Sequence, residues 1–141
     1  KVFQDAQFWT SLGFTCKFTV VSTILINVLA FTVALVLTKG ILGTNVFRTV
    51  FFMPNLIGGI VLGYTWQSMI NAILINYETT LVANPKFGFI GLIVLMNWQM
   101  IGYMMIIYIA GFQNVPPELV EAAQIDGANF FQIFYHITFK I

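Results

Sequence analysis

The chain has 141 residues, 59% of them hydrophobic and only 8% charged, against about 25% charged in an ordinary soluble domain. Six basic and five acidic residues cannot coat a water-facing surface of this size, so most of the outside faces lipid or protein, which excludes an ordinary soluble fold. A net charge of +1 leaves no basic footprint for nucleic acid, and one cysteine, Cys16, cannot close an internal disulfide or build a cysteine-rich metal site. No secretory signal opens the chain. Lys1 begins in mid-pattern and Ile141 stops as an apolar stretch starts, so the expectation is an interior piece of a longer polypeptide.

The uncharged run from Phe18 to Leu37, bounded by Lys17 and Lys39, predicts a first transmembrane helix over 18–37. About 20 residues rising about 1.5 Å each span a hydrocarbon core of about 30 Å. Val20, Val21, Ile24 and Ile26 are β-branched and weaken helices in water, but in lipid every backbone amide must bond internally, so the helix wins. Arg48 and Glu78 bound a second uncharged run, which predicts a helix over 49–70 kinked at Pro54. Gly59 and Gly63 in it form a small-xxx-small pair that favours close approach of another helix.

Asn84, Pro85 and Gly88, with Glu78 and Lys86 nearby, read as the turn chemistry of an exposed loop over 76–88. A third transmembrane helix is expected over 89–112, with Phe87, Tyr108 and Phe112 as interfacial aromatics. The last segment, 114–138, differs in kind. Pro116 and Pro117 suit a helix start, and Glu118 and Glu121 complement its positive end. Asp126 and Gly127 should break that helix, after which Phe130, Ile133, Phe134 and Ile137 fall on one face of a second short helix. The fold class is therefore an all-α membrane protein: part of a multi-pass helical bundle, with three transmembrane helices and a helix-turn-helix segment lying beside the bilayer.

Charge does not orient the spans. Lys39, Arg48 and Lys140 fall on one side and Lys1, Lys17 and Lys86 on the other.

The run ELVEAAQIDGANFFQIFYHI, Glu118 to Ile137, resembles the EAA signature of the permease subunits of binding-protein-dependent ABC importers: Glu-Ala-Ala, three residues, then Gly. Glu121, Ala122, Ala123 and Gly127 match it, and Ile125, Asp126 and Ala128 complete the IDGA ending typical of the sugar-transporting, maltose-type branch. VPPEL over 115–119, ITF over 137–139, FRTVFFMP over 47–54, Trp66, Trp98, Gly102 and AGF over 110–112 are similar to the same branch. Lys140 departs from it, standing where the family commonly has proline.

The resemblance implies that the Glu121 loop is cytoplasmic and docks on a separate ATPase dimer, with Glu121, Ala122, Ala123, Asp126 and Gly127 as the coupling residues. It also implies a second permease subunit, an extracytoplasmic solute-binding protein, a sugar or related solute as substrate, and the bacterial plasma membrane as location. The motif suits that task physically: two alanines make a flat face, Glu121 offers an acceptor to an Arg or Lys, and Gly127 permits a sharp turn. Taken alone, Glu121 merely complements a helix N-terminal half and Asp126-Gly127 merely ends a helix.

Asn27, Gln67, Asn97 and Gln99 are polar within or near the spans, and such groups are either interhelical glue or parts of a path. Asn27 reads first as glue. Asn97, Trp98 and Gln99 leave both readings open, since amides beside an aromatic face suit a neutral sugar and suit helix packing too. His136, alone among apolar neighbours, is a poor metal ligand, and neither a metal nor a cofactor is expected. No serine with a histidine base, zinc motif or phosphate-cradling glycine loop appears, so the chain is read as a transport subunit and not an enzyme, with ATP hydrolysis on a partner. The alternatives are a permease for a non-sugar solute (glycerol phosphate, polyamine, amino acid) and an ATPase-independent channel or secondary transporter. The latter lacks the mid-bilayer ionisable residues that ion coupling needs.

Overall fold

The computed structural model describes residues 6–40 and 42–140. Lys1 and Ile141, which bear on the expectation about the chain ends, lie outside the described residues. Among the described residues the chain is helical throughout, with no strand: α1 (Ala6–Thr38), α2 (Thr44–Phe52) running into a 3₁₀ turn (Met53–Leu56), α3 (Gly59–Leu74), α4 (Pro85–Gln113), α5 (Pro117–Ile125) and α6 (Phe130–Ile133), which continues as a π-helical turn (Phe134–Thr138). Among the described residues two helices, α1 and α4, are long and apolar enough to cross a membrane. A third crossing arises only if α2 and α3 count as one broken span.

α1 starts well before the expected Phe18. Its 33 residues make a rod of about 50 Å, longer than a hydrocarbon core. In its first half the Thr10, Thr15 and Thr19 hydroxyls donate back to carbonyls four residues earlier, at 3.0, 2.9 and 2.8 Å, which keeps the hydroxyls satisfied within the helix. α4 likewise begins earlier than expected. Asn84 is its N-cap, the side chain accepting from the Lys86 amide at 3.0 Å, and Pro85 occupies the first turn, where its missing N–H costs nothing. The Asn84-Pro85 pair read as a loop is thus a helix start.

The largest correction concerns the second helix. The single kinked helix expected over 49–70 is two helices meeting at 97°. Pro54 is not the break; it sits buried inside the 3₁₀ turn. The chain leaves helical geometry at Ile57 (φ −83°, ψ 131°) and Gly58 (φ −58°, ψ 133°), where two adjacent glycines lower the helix propensity. Gly59 and Gly63 do not pack against a helix: a methyl built on either meets nothing within 4 Å.

The core lies between α1 and α4. Ser22, Ile26, Ala30, Ala34 and Leu37 form a buried stripe at three- and four-residue spacing, the helical period. Ala30, Ala34 and Leu37 close on Met105 and Ile109 of α4, with Ala30, Ala34 and Met105 fully buried. Small side chains on α1 let the larger Met105 fill the space, so dispersion contacts drive the pairing where lipid offers no hydrophobic gain. The helices run in the same direction: Phe14 of α1 meets Phe89 at one end and Phe31 meets Tyr108 at the other, at 5.4 and 5.3 Å.

The Tyr108 hydroxyl donates to Asn27 Oδ1 across this interface at 2.5 Å, while Asn27 Nδ2 donates to the Thr23 carbonyl at 2.7 Å. Asn27 is therefore interhelical glue. Interhelical hydrogen bonds in membranes average about 0.6 and reach about 1.7 kcal/mol, so a double-mutant cycle of Asn27→Val with Tyr108→Phe on thermal stability in detergent should return a coupling in that range. Additive losses would assign the pair no joint role.

α2 crosses α4 at Gly102. A methyl there falls on the Phe51 carbonyl and lies 2.8 Å from Phe52 Cα.

Candidate functional site

The EAA run forms a compact, hydrogen-bonded unit beyond the C-terminal end of α4. Pro116 is extended (φ −60°, ψ 127°) and Pro117 opens α5, which carries Glu118 in its first turn. Glu121 and Ala122 are exposed and Ala123 is half-buried. Asp126 and Gly127 follow α5 and are exposed.

The turn has a defined form. Gly127 adopts φ +79°, its amide donates to the Gln124 carbonyl at 3.0 Å, and the Ala128 amide reaches back to the Ala123 carbonyl at 2.9 Å. These two bonds, around one left-handed residue, are a Schellman motif, and they satisfy carbonyls that the helix end leaves open. Two residues on, Asn129 and Gln132 exchange side-chain and backbone bonds at 2.8 and 2.9 Å in a capping box that starts α6. The Asn-x-x-Gln spacing of this helix start is legible in the sequence. α6 then widens into a π-helical turn, which disturbs the spacing expected for its apolar face: Ile133, Phe134 and Ile137 are half-buried, whereas Phe130 is 55% exposed.

The other candidates are not gathered into one site. Asn97 is buried, its Nδ2 donating to the Ile93 carbonyl at 2.8 Å while Oδ1 has no partner. Trp98 is partly exposed and its ring meets Trp66 of α3 at 5.4 Å, tilted by 58°. Gln99 is half-buried. Consecutive residues on a helix point about 100° apart, so the three face different surroundings. A groove of about 510 Å³ between α3 and α4 is lined by Gly59, Gly63, Tyr64, Trp66, Gln67 and Gly91 among others, but by none of these three. Gln67, a polar residue of the second uncharged run, and Tyr64 contribute polar groups to it.

Comparison with known proteins follows the same lines. A permease named "Probable starch degradation products transport system permease protein AmyD", from Thermoanaerobacterium thermosulfurigenes, is 41% identical over 145 residues, covering 97% of this chain and 50% of the relative. The trehalose/maltose transport system permease protein MalF of Thermococcus litoralis is 29% identical over 151 residues, covering all of this chain and 51% of the relative. The chain thus spans about half the length of the curated relatives it matches. The crystal structure of a bacterial ABC transporter that imports the acidic polysaccharide alginate superposes with a TM-score of 0.82 at 21% identity, over 97% of this chain and 52% of that one, and shares the fold. A family model, the binding-protein-dependent transport system inner membrane component, matches residues 26–141. With that match over most of the chain and the apolar helices described above, this integral membrane protein belongs to the family of binding-protein-dependent transport system inner membrane components.

Proposed function

We propose that the chain forms part of the transmembrane pathway of an ABC importer for a sugar or related solute, and that its Glu121–Gly127 unit docks into a separate ATPase subunit on the cytoplasmic side of a bacterial plasma membrane. A dimer of that ATPase, a second permease subunit and an extracytoplasmic solute-binding protein complete the assembly. The observation that carries this reading is the exposed Glu121-Ala122 face on a helix closed by a Schellman turn, in a chain of this family. A short helix stiffened at both ends moves as a body when pushed, and alternating access needs such rigid-body displacement. Two helices of membrane length, with the bent α2–α3 pair as a broken third crossing, supply the spans. Permeases of starch products and of trehalose/maltose among the relatives favour a saccharide.

Purification of the full-length protein from its native membrane in mild detergent, followed by mass spectrometry, should recover an ATP-binding subunit and a second permease. Recovery alone, even after crosslinking from Ala122→Cys, would sink the reading. The same purification grades the turn. L-residues with side chains disfavour φ near +79°, Asn least and β-branched residues most, at roughly 1–3 kcal/mol. ATPase recovery should therefore fall from Gly127 through Gly127→Asn to Gly127→Val.

A further inference from the structure

The segment after the Gly127 turn is fastened to the membrane-length helices by aromatic rings. Phe134 meets Phe31 of α1 edge to face, with centroids 5.7 Å apart, and Phe31 meets Tyr108 and Phe112 of α4 at 5.3 and 5.5 Å. One turn earlier, Phe130 lies beneath the Lys39 ammonium, 5.0 Å from the ring centroid, just past the C-terminal end of α1, and stacks on Phe134 at 6.4 Å. Phe31 thus joins rings from α4 and from the terminal segment.

We propose that Phe134, acting through Phe31 and helped by the Lys39–Phe130 contact, is the positioning residue that carries movement of the Glu121 unit into α1. The proposal rests on the docking reading above. Edge-to-face ring pairs are directional, so a shift of the terminal segment must either break them or move α1 with it. Behind Phe31 the core of Ala30, Ala34, Met105 and Ile109 is closely packed and barely compressible, so α1 and α4 follow as one body. The chain link from α4 to α5 is the non-helical stretch from Asn114 to Pro116, so a displacement of α5 reaches the α1–α4 body firmly only if a second connection braces it. The rings supply that second connection.

The test uses the complete transporter reconstituted in liposomes, measuring solute uptake, ATP hydrolysis and retained ATPase for the parent, Phe134→Ala, Phe134→Tyr and Glu121→Lys. Phe134→Ala should keep its ATPase bound and hydrolysing while uptake per ATP falls about fivefold or more, and Phe134→Tyr should restore most of it. Unchanged uptake per ATP in Phe134→Ala overturns the proposal. Loss of bound ATPase in that variant also overturns it, because the ring would then be shaping the docking surface and not transmitting motion. Full uptake by Glu121→Lys removes the docking reading, and the proposal with it, and is distinguishable because it does not depend on Phe134.

Discussion

Glu121→Lys in the full-length protein is expected to reduce ATP-dependent solute uptake by about tenfold or more while leaving membrane insertion intact, since like-charge juxtaposition at an interface is strongly unfavourable. The residue stands exposed on α5, four residues past the first proline of the helix and clear of the Schellman turn, so lysine is accommodated without strain in the helix itself. What changes is the sign presented to the proposed ATPase partner. A carboxylate accepts charge-assisted bonds from Arg or Lys, and an ammonium meets the same groups with repulsion. Glu121→Gln keeps the shape and an acceptor and should fall between parent and lysine variant. Retention of full uptake by the lysine variant, at equal membrane abundance, would remove Glu121 from the coupling surface.

Gly102→Ala should be the most destabilising methyl that can be added to α4. Its added carbon coincides with the Phe51 carbonyl, a backbone group that no rotamer change can move, and lies 2.8 Å from Phe52 Cα. Overpacking a close-packed site costs about 1–3 kcal/mol where side chains can yield, and backbone contact places this case at about 3 kcal/mol or more. Either α2 lifts from α4 or the α4 axis shifts. Gly111→Ala on the same helix is the control, because its methyl meets nothing within 4 Å and alanine is the better helix former. Thermal unfolding in detergent should show a clear drop for Gly102→Ala and none for Gly111→Ala. Equal midpoints would mean that α2 does not rest on Gly102.

The two predictions differ in how much of their basis the sequence carries. The spacing of Glu121, Ala122, Ala123 and Gly127 is legible in a single line of text, and so is the left-handed turn that a glycine after Asp126 invites, because caps and turns are built from neighbours a few residues apart. Uncharged runs likewise announce membrane-length helices, since the bilayer imposes one length and one hydrogen-bonding rule. Local rules misread in two places had local causes. Asn84-Pro85 serves loops and helix starts alike, and the bend that a proline at position 54 invites falls instead at Ile57 and Gly58.

Gly102 shows the other limit. Its identity is visible, but the Phe51 carbonyl against it is not, and Gly59 and Gly63, which look like the packing pair, face open space. Asn27 and Tyr108 meet across 81 residues, and Phe31, Tyr108, Phe112 and Phe134 come together from three separate elements. The solvent, the helical class, the membrane-length runs and the Glu121–Gly127 unit follow from short-range patterning and from the bilayer, and are legible without a fold. Which glycine is tight, where the second run breaks and which rings bind the terminal segment to α1 emerge only in three dimensions, because they depend on how side chains distant in the chain fill a shared space.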